Sequence, residues 1–311
     1  MRPCLGWGVF CDVVFLYNCL KIKQLYKQCL QKSVHIILQI VHNEQFVQKD
    51  NVMIKAIFFD IDGTLVSFKT HQVPQETKDA IRQLRENGVK VFVATGRMLK
   101  MVEVLNDIEF DGYITYNGSC CVDSTKENVI FKNTVPQDEL EALVERLKWD
   151  HFPVSFMCKD EMYVNDLAEI VTRVAKVVEV EPPIERPVEE IIKEDVYQLC
   201  IYVDEPHLQR ILEETLPGCV GMRWIEYFAD VNVRGMNKQL GIDRILEHFN
   251  IPLENAMAFG DGGNDIPMLE HVPYSVAMGN ANDAVKASAA YVTADVDDGG
   301  VVKALQHYGL I

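Results

Sequence analysis

Short apolar runs alternate with amphipathic stretches on both sides of a long central block, and this pattern restricts the fold more than any other feature of the chain. Residues 54–59 and 89–94 are short apolar runs, each broken only by a lysine at its second position, and stop at turn residues, as strands buried on both faces do. Residues 74–88 between them read as a helix: Ala80, Ile81 and Leu84 share a face, Pro74 stands at the entry and Gly88 at the exit. A helical segment is expected over 98–106 and a third strand over 113–116. The alternation resumes late, with helices over 238–250, 266–271 and 282–289 and strands over 256–259 and 274–278. Strand and helix in turn imply right-handed crossovers and a doubly wound parallel sheet. Its ligands bind in the crevice at the carboxyl ends of the strands.

The block from 134 to 229 has its own helices (138–149, 166–178) and strands (154–157, 198–203, 223–227) and reads as an inserted α+β domain. The expected division is therefore a core of 53–133 and 230–311 interrupted by 134–229. Residues 1–52 differ: six basic residues stand against three acidic ones, four of the chain's cysteines fall there, and no compact pattern follows. The leading expectation is an extension that is poorly ordered or artefactual, with Met53 as the functional start. A signal peptide is disfavoured by Asp12 and the lack of a small-x-small cleavage site. A peripheral anchor over 16–41 is the alternative.

With 311 residues and a formal charge of -16, the chain can bury a full core but presents the wrong sign for nucleic acid or an anionic membrane. Neither is expected as a partner, and a monomer or weak homodimer suffices. Nine cysteines, odd in number and without C-x-x-C spacing, read as thiols of a reducing compartment, so a cytoplasmic location is expected. Cys120 and Cys121 read as small buried hydrophobes.

The first strand ends in Asp60-Ile61-Asp62-Gly63-Thr64, which places two carboxylates where the chain leaves the sheet. An aspartate with its ordinary pKa is ionised at neutral pH and can attack phosphorus without a base. A divalent cation would remove its repulsion from the phosphoryl group. Mg2+ takes carboxylate, carbonyl and water oxygens, and the acidic turn Gly260-Asp261-Gly262-Gly263-Asn264-Asp265 supplies Asp261 as a partner for Asp60. Asp62 is then left to protonate a leaving alkoxide. Thr95, with backbone N–H groups such as that of Gly96 beside it, and Lys238 offer donors to the phosphoryl oxygens. Gly63 permits close approach of backbone. Read singly, each piece is also an ordinary turn or a solvated lysine; in this order, each on its expected element, they describe one site.

Asp-Ile-Asp-Gly-Thr-Leu, Ala-Thr-Gly-Arg, Tyr-Asn-Gly and Phe-Gly-Asp-Gly-Gly-Asn-Asp-Ile-Pro-Met-Leu resemble the haloacid dehalogenase (HAD) superfamily, Cof-type subclass IIB, over essentially 53–311. The resemblance implies a Rossmann-like core with a C2B-type α+β cap. It also implies Asp60 as nucleophile, Asp62 as general acid/base and as a metal ligand through its carbonyl, and Asp60 and Asp261 as ligands of Mg2+. Thr95 and Lys238 would stabilise phosphate and nucleophile. Asn264 would support the phosphate and Asp265 the metal water, with Arg97 and Asn117 facing the crevice. Gln239 follows the motif lysine where this family often has Gly, which leaves Arg234 as an alternative to Lys238. Small phosphorylated metabolites are the implied substrates, hexose phosphates first, with flavin or pyridoxal phosphates or a phosphomutase activity as alternatives. Arg223, Trp224, Tyr227 and Phe228 are candidates for the substrate-facing wall of the cap, though Trp and Phe there also read as core.

Overall fold

The computed structural model describes residues 53–177 and 180–311, apart from the side chain of Trp224. The expectations for 1–52 lie outside the described residues. Chain order gives β1 (Ala56–Phe59), β2 (Lys90–Ala94), β3 (Gly112–Thr115), β4 (Cys120–Asp123) and β5 (Val129–Lys132). In the insert follow β6 (Val154–Cys158), β7 (Met162–Val164), β8 (Ile184–Glu185), β9 (Val196–Ile201), β10 (Cys219–Ile225) and β11 (Phe228–Val233). The core then resumes with β12 (Ala256–Gly260), β13 (Tyr274–Ala277) and β14 (Tyr291–Val292).

The core sheet runs in the order β14-β13-β12-β1-β2-β3-β4-β5. From β14 to β3 the pairs are parallel. β1 carries no polar side chain and is fully buried because helices cover both sheet faces: Ile57 and Phe59 enter one apolar cluster, Ala56 and Phe58 the other. Aromatic rings stack across the register on each side of it, Phe59 on Phe259 and Phe58 on Phe92. Chain order reverses at β1, which lies between β12 and β2, so the crevice opens at its carboxyl end.

The expectation of a parallel sheet fails at one edge. β4 and β5 form an antiparallel extension of β3, carrying Cys120 and Cys121 into the interior as the small apolar residues they were read to be. Residues 99–105 wind as a 3-10 helix rather than an α-helix. β3 ends at Thr115, one residue short of the expected strand, because Tyr116 turns into the left-handed region.

The second sheet, β10-β11-β9-β6-β7-β8, is antiparallel except between β7 and β8. One face packs on the helices Gln137–Leu147 and Glu205–Glu214 through Leu140, Leu143, Leu208 and Ile211. Along β9 and just beyond it, Leu199, Ile201 and Val203 enter that interior, while Gln198, Cys200 and Tyr202 face the core's catalytic end. The expected boundary at 229/230 falls inside β11, which pairs with β9 and β10 throughout and carries the cap sheet on to Val233.

Candidate active site

Three adjacent parallel strands end in the residues singled out from the sequence. Asp60 follows β1, Thr95 follows β2, and Asp261 follows β12. Asp60, Thr95 and Lys238 are all buried. Asp60, Asp261 and Asp265 bring carboxylate oxygens within 4.8 Å of one another.

Lys238 stands in the first turn of the helix Lys238–Phe249, whose N-cap Asn237 accepts a hydrogen bond from the N–H of Leu240 at 2.9 Å. Its ammonium donates to Asp60 Oδ1 at 2.5 Å and to Asp265 Oδ1 at 2.6 Å. Arg234 points elsewhere, to the carbonyl oxygens of Pro217 and Cys219, so the lysine at this site is Lys238. Asp265 Oδ2 accepts from the N–H groups of Asp261 (2.9 Å) and Gly262 (2.8 Å), which folds the acidic turn around its own last residue. With both oxygens so used, Asp265 shapes the turn and holds Lys238.

Charge is out of balance here. Burial raises the Asp60 carboxyl well above the usual range, opposed by Lys238 and assisted by Asp265 and Asp261. Asp261 is pushed up to about 6, again chiefly by burial, with Thr64 opposing. Burial alone would lower the Lys238 pKa, but Asp265 and Asp60 more than offset it and the ammonium is held charged. The expectation of an Asp60 with an ordinary pKa is therefore corrected: the buried carboxylates outnumber the one ammonium, and a divalent cation fits the donor set by charge as well as by ligand type.

Asp62 is held by Arg97, Nε to Oδ2 at 2.9 Å and Nη2 to Oδ1 at 2.6 Å, a bidentate pair at the cavity wall. Thr95 Oγ1 accepts from the Arg97 N–H. Asn117 owes its position to an unusual turn in which Tyr116 and Asn117 both take φ near +50°. Gly118 closes the turn at φ +99°, and a Cβ there would lie 2.0 Å from the Asn237 carbonyl. The Tyr-Asn-Gly sequence thus brings Asn117 into the cavity beside the capping residue of the lysine helix. Asn264 Nδ2 donates to Asn117 Oδ1 at 2.9 Å, and Gly96 lies alongside.

Gly63 makes room for a neighbouring side chain. Its N–H already donates to the Val66 carbonyl, and a Cβ would meet Asp261 Oδ2 at 2.2 Å, so the close approach it allows is to Asp261. Two residues were missed. Thr64 donates to Asp261 Oδ1 at 2.9 Å, and Asn280 donates to Asp261 Oδ2 at 3.0 Å and to the Gly63 carbonyl at 2.9 Å. Asn280 lies just past the carboxyl end of β13, the same placement that singled out Asp60, Thr95 and Asp261, and that rule could have found it.

The cap closes a cavity of about 600 Å³ over these residues. Met157, Met162, Phe228 and Tyr202 line its far side, with Gln198, Cys200 and Asp230 among them. Of the four expected cap candidates, Phe228 lines the cavity, whereas Arg223 is turned to Glu205 and to backbone carbonyls and Tyr227 is exposed elsewhere. The Trp224 side chain lies outside the described residues.

A doubly wound core with carboxylates at its central switch point, roofed by an α+β insert, is the architecture of an aspartate-based hydrolase, and residues 57–305 match the family of haloacid dehalogenase-like hydrolases. The chain belongs to that family. It is 37% identical to a HAD-superfamily phosphatase from Bacteroides thetaiotaomicron whose structure superposes with a TM-score of 0.77, covering 85% of this chain and 98% of that one. A solved sugar phosphatase of HAD subclass IIB is 41% identical at a TM-score of 0.69, covering 83% of this chain and 100% of that one. The 5-amino-6-(5-phospho-D-ribitylamino)uracil phosphatase YcsE of Bacillus subtilis is 32% identical over 271 residues, 85% of this chain and 99% of that protein. Within the family the chain is a phosphatase, a phosphoric monoester hydrolase, as the four motifs implied. No helix among the described residues is long and apolar enough to cross a membrane.

Proposed function

We propose that the protein hydrolyses small phosphorylated metabolites through a covalent aspartyl phosphate on Asp60, with Mg2+ as its cofactor. The observation that carries this reading is the convergence of Asp60, Asp261 and Thr95 at the ends of adjacent strands, with Lys238 reaching Asp60 from the first turn of a helix. An Asp60 oxygen attacks phosphorus in line with the ester oxygen; the P–O bond breaks, and Asp62, protonated for this step on an oxygen that it withdraws from Arg97, gives that proton to the departing alkoxide. Water then attacks the aspartyl phosphate, Asp62 takes a proton from it, and phosphate leaves. Lys238 keeps the Asp60 carboxylate oriented, while Thr95, Gly96 and Asn264 face the phosphoryl oxygens, Asn264 held by Asn117. Arg97 fixes the direction of the Asp62 carboxylate. Asp60, Asp261 and the Asp62 carbonyl would hold Mg2+, which supplies positive charge against the equatorial oxygens.

Hexose phosphates are the leading substrates, a reading supported by the likeness to the solved sugar phosphatase. Esters of nitrogen heterocycles are the second reading, favoured by the apolar far side of the cavity and by the likeness to the ribitylaminouracil phosphatase. A panel of phosphate monoesters assayed with Mg2+ and with EDTA tests the function: phosphate release that depends on Mg2+ is expected. Turnover unaffected by chelation would overturn the mechanism, and sugar bisphosphate appearing before free phosphate would make the protein a phosphotransferase.

A further inference from the structure

Among the described residues, two of the large apolar side chains left exposed line the cavity: Phe68, 62% exposed, from the core, and Ile225, 42% exposed, from the cap. Exposure is ordinary for a single hydrophobic residue, but the position of Phe68 is not. It belongs to the loop that follows Asp60 and Asp62, and it is the one apolar residue in the run Ser67-Phe68-Lys69-Thr70-His71-Gln72. Its ring packs on Gly63, where a Cβ would lie 2.5 Å from Cε2, so it stands beside the peptide that carries Asp62. The residues on both sides of it are tied down. Ser67, buried, donates from Oγ to Asp297 and accepts from the N–H groups of Lys69 and Thr70, and Lys69 pairs with Asp297 at 2.7 Å. The serine is the firmer tie, because the lysine is open to solvent. An apolar ring is therefore held at the cavity wall on a braced loop, with more than half its surface open.

We infer that Phe68 is a specificity-determining residue, a platform against which the leaving group of the ester rests a flat or C–H face. The inference rests on the phosphatase reading above and makes a core loop, rather than the cap alone, a source of selection. In that reading Asp62 delivers its proton to the departing alkoxide, so the leaving group lies on the Asp62 side of the phosphoryl group, where the ring stands. A planar ring set against Phe68 gains stacking and removes apolar surface from water on both partners. The C–H face of a sugar gains the burial, and an open-chain ester gains little of either. Ile225, paired with Phe228 at the turn of its hairpin, gives the cap an exposed apolar group of its own in the same cavity. The contact with Phe68 is made alike in the bound ester and in the transition state, so it is uniform binding and is read in KM.

The test uses the full chain with Mg2+ and three esters: glycerol 3-phosphate, which has no ring, fructose 6-phosphate, and pyridoxal 5′-phosphate. The wild type is expected to favour at least one ring-bearing ester over glycerol 3-phosphate in kcat/KM. Phe68→Ala is expected to lower that preference about tenfold, chiefly by raising KM for the ring-bearing ester. Loss on pyridoxal 5′-phosphate marks the face as an aromatic plane, and loss on fructose 6-phosphate marks it as the C–H face of a sugar. A second variant, Phe68→Tyr, keeps the ring and should hold the preference within about twofold of the wild type. A parallel fall on all three esters, with or without a lower thermal midpoint, would mean that the ring only braces the loop, and it overturns the inference. So does a wild type without preference, an unchanged preference in Phe68→Ala, a loss carried by kcat alone, or a Phe68→Tyr that behaves like Phe68→Ala. No Mg2+-dependent turnover of any ester by the wild type would instead sink the phosphatase reading itself.

Discussion

The two halves of the cavity follow opposite rules. At the strand ends of the core, charged groups are engaged with one another: buried Lys238 bridges buried Asp60 and Asp265, half-buried Arg97 clasps Asp62, and Thr64 and Asn280 hold Asp261. Across from them the cap offers methionines and an aromatic ring. The first half is preorganised for one charge distribution, as catalysis of phosphoryl transfer requires. The second half offers a mostly apolar wall. Charged and apolar surfaces are thus contributed mainly by different sheets.

The largest effect should come from the core. Asp60→Asn keeps the shape but removes the nucleophile, and steady-state phosphate release is expected to fall roughly 10⁴-fold or more. Retained turnover would break the comparison outright, because the preorganised half would then not be the reacting half. Lys238→Met leaves two buried carboxylates without their ammonium, and urea unfolding in EDTA should show a loss of about 3–5 kcal/mol. If stability is unchanged, the charge network is not the framework taken here. Gly63→Ala drives a Cβ toward Asp261 at a position with φ +81°. Strain of about 1–2 kcal/mol in stability is expected, with turnover lowered on the order of 10²-fold by misplacement of the carboxylate. The smallest effect lies between the halves. The Tyr116 hydroxyl donates to the Cys158 carbonyl at 2.7 Å, and its ring stacks on Tyr197 with centroids 4.9 Å apart. Tyr116→Phe should cost about 1 kcal/mol in urea unfolding while leaving turnover nearly unchanged; a large loss of activity would mean that this contact also sets the catalytic alignment.

Much of the core was legible because its signals are local. β1 is apolar on both faces and ends at carboxylates, and the helix at Lys238 announces itself through Asn237. The missed core elements are those whose definition is not local. β4 and β5 read as strands only once β3 is there to pair with, since their pattern is short and their partners are antiparallel neighbours. Asn280 went unseen because nothing next to it in sequence explains it; its partners, Asp261 and the Gly63 carbonyl, come from other loops. The cap wall was the least readable part. Arg223 and Phe228 looked equivalent near the return to the core, yet a register shift between Arg223 and Ile225 helps turn the strand, leaving one residue outside and the other in the cavity.

By itself the sequence determined the doubly wound core, the inserted block and the strand ends at which Asp60, Thr95 and Asp261 stand. Buried strands, helix caps and glycine turns are written in neighbouring residues, so these features need no distant partner to be read. Only the tertiary structure decided that burial raises Asp60 and Asp261 together and that Gly63 makes room for Asp261. Each of those depends on which groups meet across more than a hundred residues of chain, and desolvation and hydrogen bonding act on groups that meet in space.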